Sequence, residues 1–306
     1  MTTNRKYHIL IVDDSRSVRA FFADIFSNMP GFRPDTAASG AEAIEVLKSK
    51  HITDEDPFDF LLTDINMPEM DGFAVIDAAK ELDPDLKTGM ITGFNVDDYI
   101  NMALDRGVFN IICKMDDPAD IVRTVYNLIT GENIFGLVNY VEPGTEITRI
   151  NVTDTAALKV AVNRIMEYAE QKLNEDKLYG LKTGLVEMGT NAIYHAYGYE
   201  KGSQVTLKET EEVALEYGMD AEKLAVAILD VSGILTKERV LTQLNKGINP
   251  THEDLIAAGG RGIYLTRFLC DKVVVNLAQK QRTEVILIMN FSEDYKESKP
   301  LLINQI

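Results

Sequence analysis

The 306-residue sequence is short of positive charge, of cysteine and of long apolar runs, and each shortage excludes something. Lys and Arg number 31 against 48 Asp and Glu, a formal charge of −17. Binding nucleic acid needs a surplus of Lys and Arg against phosphate, so this balance argues against a direct nucleic-acid partner. It also disfavours anionic membrane surfaces. No stretch approaches the ~18 consecutive apolar residues of a membrane span. The first residues, MTTNRKYHILIVDD, run straight into a strand-like segment without the apolar core of a secretory signal, so a cytoplasmic location is expected. Cys113 and Cys270 sit far apart in apolar segments. They read as buried free thiols of a reducing compartment, with neither disulfide nor metal-site spacing. What is present is a 45% hydrophobic share, ordinary for a globular chain. The length suits about two domains.

The acidity is uneven. Residues 1–130 hold 12 basic and 23 acidic side chains, a net of −11, which leaves −6 for residues 131–306. The first half alternates between two periodicities. Apolar strand-like runs are expected at 7–12, 32–37, 58–63, 87–92 and 108–114. Helical spacing is expected at 15–28, 40–50, 72–82, 96–106 and 118–128, with Ser15 as a candidate N-cap and Pro118 near a first turn. Five such repeats imply a parallel sheet with helices on both faces. Ligands of such folds gather at the carboxyl ends of the strands.

Asp13, Asp14, Asp64, Thr92 and Lys114 each fall at the end of an expected strand, so they converge on one edge. Three carboxylates brought together resist ionising as a group. A divalent cation resolves the repulsion, and an all-oxygen donor set favours Mg²⁺. A carboxylate beside Mg²⁺ and a lysine is suited to accept a phosphoryl group, because both cations neutralise its oxygens.

Asp13-Asp14, the run Asp64-Ile65-Asn66-Met67-Pro68-Glu69-Met70-Asp71-Gly72, Thr92-Gly93 and Lys114 together resemble a two-component response-regulator receiver domain over about residues 5–130. The resemblance implies a flavodoxin-like, doubly wound, five-stranded parallel fold. It implies Asp64 as phospho-acceptor, and Asp14 on Mg²⁺ directly. Asp13 would act mostly through water, and Asn66 through its backbone carbonyl. Thr92 would be the switch hydroxyl and Lys114 the partner of the phosphoryl group. Two positions depart from the receiver pattern. Met115 follows the lysine where proline is usual, and Ile111 stands where an aromatic switch residue is usual, with Phe109 nearby on the same strand face.

The second half reads differently. A junction, residues 131–144, contains Pro143-Gly144 but keeps Ile134, Phe135, Leu137, Val138, Tyr140 and Val141, so it is expected to be packed. Strands are expected at 145–152, 204–208, 224–230, 272–277 and 283–291. Helices are expected at 155–172 (Asp154 as N-cap), within 176–199, and at 262–270. Residues 209–223 read as an acidic, helical insertion. Residues 292–306, polar and then apolar, either pack or fray. The mixture suggests an α+β two-layer sandwich over residues 145–306.

Three clusters there carry candidate chemistry. Glu187, Asn191 and His195 recur at i, i+4 and i+8, on one helix face, which suits a general base beside a metal ligand. Asp230 ends an apolar strand before Val231-Ser232-Gly233, placed to accept a hydrogen bond from a base's exocyclic amine. Gly259-Gly260-Arg261-Gly262 directly precedes a helix, where close backbone approach and the helix N-terminus favour phosphate.

In this order the clusters resemble the Bergerat ATP-binding fold of the GHKL superfamily, over about residues 145–292. Glu187-Met188-Gly189-Thr190-Asn191-Ala192-Ile193-Tyr194-His195-Ala196 is most similar to the anti-sigma-factor serine/threonine kinases. The resemblance implies Glu187 as catalytic base and Asn191 as the ligand of the ATP-bound Mg²⁺. Asp230 would meet the adenine amine, Gly233 would shape the adenine pocket, and Thr283 would reach adenine through water. Gly260, Arg261 and Gly262 would hold the phosphates under a lid from about Leu235 to Gly259. Asp230-Val231-Ser232-Gly233-Ile234 departs from the usual Asp-x-Gly-x-Gly by keeping one glycine, out of register.

The two resemblances imply a response regulator whose output domain is an ATP-dependent serine/threonine kinase or anti-sigma factor. Its partners would be a sensor histidine kinase, a STAS-type anti-sigma antagonist and a sigma factor, and a homodimer is expected by analogy. An alternative is an ATP-binding module that sequesters a partner without phosphorylating it. A hybrid histidine kinase is the third reading. None of His8, His51, His195 and His252 heads a dimerising hairpin before the ATP domain, so that reading lacks its acceptor site.

Overall fold

The computed structural model describes residues 5–53, 56–93, 99, 102, 106, 110–114, 118–132, 134–248, 250, 262–292 and 301–305. The chain divides into two compact units, with the change falling between Glu132 and Asn133.

In the first unit, β1 (Tyr7–Val12), β2 (Phe32–Ala37), β3 (Phe60–Asp64), β4 (Lys87–Thr92) and β5 (Ile111–Cys113) form one sheet in the order β2-β1-β3-β4-β5. Every pairing is parallel. This is the expected doubly wound fold. Strands β1 and β3 are almost wholly buried, which is why both read as unbroken apolar runs. Edge strand β2 tolerates Pro34 because one side of an edge needs no ladder donor. Helices α1 (Arg16–Asn28), α2 (Gly40–Thr53) and α3 (Gly72–Leu82) fill crossovers between strands, and α4 (Pro118–Thr130) follows β5. Phe22 and Phe26 of α1 and Ile121 and Val125 of α4 pack with Ile9, Ile11 and Leu62 in one core. The helix expected at 96–106 lies largely outside the described residues. Cys113 and Cys270 are both buried, and neither is in a disulfide.

The second unit is built on a six-stranded sheet. Its strands are β6 (Thr148–Val152), β7 (Val213–Met219), β8 (Lys223–Asp230), β9 (Lys272–Ala278), β10 (Arg282–Asn290) and β11 (Leu301–Gln305), ordered β11-β9-β10-β8-β7-β6. Pairings are antiparallel except β11 with β9. Helices α5 (Thr155–Ala169), α6 (Glu175–Thr190), α7 (Lys237–Ile248) and α8 (Gly262–Leu269) complete the unit. Asp154 caps α5 by accepting from the Ala157 N–H, and Asn174 caps α6 by accepting from the Lys177 N–H. Each cap contributes about 1 kcal/mol.

Two expectations are corrected, and one that was left open is decided. The supposed helical insertion at 209–223 contains strand β7, paired with both β6 and β8. Its buried residues, Val213-Ala214-Leu215 and Tyr217-Gly218, show no clean alternation because both faces are covered. The strand expected at 204–208 is reduced to a single bridge, Thr206 to Asp154. Of the C-terminal stretch, residues 301–305 pack as β11, where Leu302, Ile303 and Asn304 are buried. Among the described residues, no helix is long and apolar enough to cross a membrane.

Candidate functional sites

In the first unit the parallel register aligns the strand ends. Val12 pairs with Ala37 and Thr63, Asp64 with Ile91, and Thr92 with Cys113. Asp13, Asp14, Asp64 and Lys114 meet at that edge. Carboxylate oxygens of the three acids lie within 4.8 Å of one another. Lys114 Nζ donates to Asp13 Oδ2 at 2.7 Å and lies 2.8 Å from Asp64 Oδ2. Asp13 and Asp64 are buried, while Asp14 is exposed and so open to a cation from solvent.

Burial pushes the Asp64 carboxyl above the usual aspartate range, against the pull of Lys114. Burial also works against the Lys114 ammonium, but its bonds to Asp13 and Asp64 outweigh that and raise its pKa. One lysine among three acids leaves an excess of negative charge, which fits a divalent cation with oxygen ligands.

The run after Asp64 has local physical causes. A β-carbon at Gly72 would lie 2.2 Å from the Asp64 carbonyl oxygen, so only glycine lets α3 start against the end of β3. Asp71 is spent as the N-cap of α3, accepting from the Ala74 N–H at 2.7 Å. Glu69 adopts a left-handed φ of 65° at the turn. Asn66 is exposed beside Asp64, and Thr92 is fully buried at the end of β4. Ile111 is buried in β5, whereas Phe109 and Met115 lie outside the described residues. Sequence reasoning missed Arg19. Its Nη1 donates to the carbonyls of Asp13 at 2.6 Å and Asp14 at 3.0 Å, fixing the acidic turn from α1. No periodicity signals such a contact.

In the second unit a cleft opens between α6, α7 and the sheet. Asp230 and Thr283 line it from paired positions on β8 and β10. Asp230 is buried, which raises its pKa, while hydrogen bonds from Ser232 and Gly233 and the nearby Thr283 hydroxyl pull the other way. Both the N–H and the hydroxyl of Ser232 donate to Asp230 Oδ1. The serine that replaces the expected glycine thus fixes the carboxylate. Thr283 Oγ1 is buried and finds no partner in hydrogen-bonding geometry. A buried unsatisfied hydroxyl costs about 1–3 kcal/mol, so a cleft-bound polar group or water has a place waiting.

Asn191 and His195 also line the cleft. Their helix does not continue as a regular α-helix: Asn191–His195 forms a π-helical turn, in which the Ala196 N–H donates to the Asn191 carbonyl. The helix carrying Glu187, Asn191 and His195 is therefore not regular between the last two, yet both still face the same cleft. Single π turns gather at functional sites, and no residue pattern announces them. Burial lowers the His195 pKa, helped by the Arg239 and Lys201 charges, which favours a neutral imidazole.

Glu187 is half-buried, with Oε2 2.5 Å from where a β-carbon on Gly262 would lie, at the start of α8. Gly260 and Arg261 lie outside the described residues, as does most of the expected lid beyond α7. Gly233 does not line the cleft. Its φ of 56° and its contact with the 278–281 turn (a β-carbon would lie 2.3 Å from the Gln281 nitrogen) make it the hinge that seats the Asp230 loop. Arg239 and Gln243 of α7 border the cleft and were not singled out from sequence, because a polar helix face reads as solvated.

The first unit is thus a doubly wound parallel fold with three aspartates and a lysine at one sheet edge, and the second a helix-and-sheet fold with a cleft lined in part by polar side chains. Comparison with known proteins gives both a family. Residues 9–126 match the response regulator receiver domain, and residues 152–289 match the histidine kinase-like ATPase domain. The chain belongs to both families in succession, a receiver domain joined to a histidine kinase-like ATPase domain.

Among curated relatives, the response regulator receiver protein CpdR of Brucella abortus is 42% identical over 86 residues, 28% of this chain and 66% of that protein. The response regulator protein VraR of Staphylococcus saprophyticus is 28% identical over 127 residues, 42% of this chain and 58% of that protein. The chain therefore spans about two thirds or less of these relatives' own lengths. The solved CheX-CheY-BeF3-Mg²⁺ complex of Borrelia burgdorferi aligns with 30% identity and a TM-score of 0.37, over 41% of this chain and 91% of that one.

Proposed function

We propose that this protein is a response regulator of a two-component phosphorelay whose output is an ATP-dependent serine/threonine kinase or anti-sigma activity. Asp64 accepts a phosphoryl group from a sensor histidine kinase. Asp14, Asp13 and the Asn66 carbonyl hold Mg²⁺ at that edge, where the ion neutralises charge that Lys114 and Thr92 also meet. In the output domain ATP occupies the cleft. Asp230 receives the adenine amine and Thr283 meets the base through water, with Gly233 seating the loop between them. Asn191 holds the nucleotide's Mg²⁺, and Gly260, Arg261 and Gly262 take the phosphates. Glu187 removes the proton from a hydroxyl of a STAS-type anti-sigma antagonist, the group to be phosphorylated. The protein works in the cytoplasm, as a homodimer, and reaches transcription through protein partners, with neither DNA nor membrane contacts of its own.

The observation that carries this reading is the shared cleft. It joins a buried carboxylate, an unsatisfied buried hydroxyl and Asn191, with Glu187 one helical turn before Asn191 on the same helix. The test is Glu187→Ala, assayed for phosphate transfer to an antagonist and for ATP binding. Transfer should vanish while binding persists; undiminished transfer would remove Glu187 from the reaction. A second reading is favoured by Ser232, which occupies one Asp230 oxygen and departs from the family's glycine. In that reading the domain binds ATP and sequesters its partner without phosphorylating it, and the wild-type protein transfers no label.

A further inference from the structure

The residues that follow the receiver are held to the ATPase sheet by more than apolar contact. Leu137, Tyr140 and Val141 pack on the sheet face formed by Ala214, Ala225, Ala227 and Ile286. Three alanines in the middle of a sheet leave a shallow bed, which lets this chain segment lie close. Across that bed runs a polar network. Glu284 and Asn276 are fully buried on neighbouring strands, paired in register. The Gly136 N–H donates to both oxygens of Glu284, at 3.0 and 3.1 Å. Asn276 Nδ2 donates to Glu284 Oε2 at 2.8 Å and to the Ile134 carbonyl. The Tyr140 hydroxyl donates to the same carbonyl at 2.9 Å, and Asn304 of β11 donates to Asn276 Oδ1 at 2.8 Å. Arg282 lies 3.6 Å from Glu284 Oε1 and over the Phe135 ring, 4.6 Å from its centroid.

A buried carboxylate is a costly way to hold two pieces together, since an apolar side chain would pack there with no desolvation penalty. What the carboxylate adds is specificity for one backbone conformation. Both its oxygens accept from the segment or its fastener, and Gly136 presents its N–H from a φ of 99°. Burial raises the Glu284 pKa, against the Asn276, Gly136 and Arg282 contacts that favour the charge.

The neighbour of Glu284 is Thr283. Alternation along β10 turns Glu284 to the segment and Thr283 and Val285 to the cleft. One strand therefore carries the fastening of the interdomain segment on one face and part of the cleft wall on the other.

We propose that residues 134–141 and Glu284 form a clasp through which the state of the receiver sets the nucleotide affinity of the cleft. Helix α4 ends at Thr130, four residues before Ile134, so a shift of that helix pulls on the clasp through the chain itself. With the clasp engaged, β10 is pinned and Thr283 and Val285 hold their places. With it released, the cleft wall relaxes. Glu284 is a positioning residue in this scheme, on the opposite face of β10 from the ligand. The proposal rests on the nucleotide reading of the cleft.

The test uses the full chain and a fluorescent ATP analogue with Mg²⁺, titrated with and without beryllofluoride as the phosphoryl mimic at Asp64. In the wild type, beryllofluoride should change the Kd at least about threefold and alter the hydrogen exchange of residues 134–141. Glu284→Gln places an amide donor against the donors of Gly136 and Asn276. Gly136→Ala strains the turn by its φ alone and serves where the first variant does not fold. In a folded variant the Kd should no longer respond to beryllofluoride, whereas Val138→Ala, at an exposed position of the segment, should keep the full response. A response retained in Glu284→Gln or Gly136→Ala, or absent from the wild type, would overturn the clasp. A wild type that does not bind the analogue at all would overturn the nucleotide reading itself, a result visible before any variant is compared.

Discussion

Glu187 and Gly262 are matched: a β-carbon on Gly262 would lie 2.5 Å from Glu187 Oε2, far inside van der Waals contact. The glycine at the start of α8 thus leaves room for the carboxylate of the proposed base. Gly262→Ala should move that carboxylate and lower phosphotransfer by about 100-fold, the order of loss for a displacement near 1 Å. ATP binding should fall far less. A steady-state transfer assay beside a binding titration checks the split; an unchanged transfer rate would mean that Glu187 needs no such placement.

Lys114 forms ion pairs with two buried acids, Asp13 and Asp64. Lys114→Ala leaves those carboxylates facing each other. In EDTA the variant should be less stable by about 1–3 kcal/mol, and Mg²⁺ should return a larger part of its stability than it adds to the wild type. Urea melts with and without Mg²⁺ measure this. A variant as stable as the wild type in EDTA would show that the lysine is not what holds the acids together.

Asp230 sets a pH dependence whose sign follows from burial. Its folded pKa is raised, so the folded chain keeps a proton that the unfolded chain releases near the ordinary value of 3.8. The stability this contributes is full below 3.8 and is lost as pH rises through the folded value. Asp230→Asn keeps the acceptor for Ser232 and cannot ionise. It should flatten that part of the stability profile and be the more stable protein at neutral pH, while binding ATP at least about tenfold more weakly. Thermal melts across pH, with a nucleotide titration, test both halves. Parallel wild-type and variant profiles would count against it.

Much of the receiver was legible because its chemistry sits at strand ends, and strand ends are marked where apolar runs stop at Asp13, Asp64 and Lys114. The second unit was harder for identifiable reasons. Strand β7 is covered on both faces, with Glu212 just before it and Glu216 within it. Both pair with Arg149, Glu216 across the β6–β7 ladder, so its charges suggested an exposed insertion. The π turn at Asn191 depends on a backbone choice that no side-chain period encodes. The apolar residues of the junction announced packing, but not against what: Gly136 and Glu284 are 148 positions apart. Arg19 was hidden likewise, as an ordinary basic residue on a helix.

The central claim, that the ATPase domain passes phosphate to a protein hydroxyl, is tested most directly by one time course. The full chain is incubated with γ-labelled ATP, Mg²⁺ and a purified STAS-type antagonist, and the labelled amino acid is identified. The account predicts label accumulating on serine or threonine of the antagonist. ATP bound without any such transfer, or label found on a histidine of this chain, would contradict it.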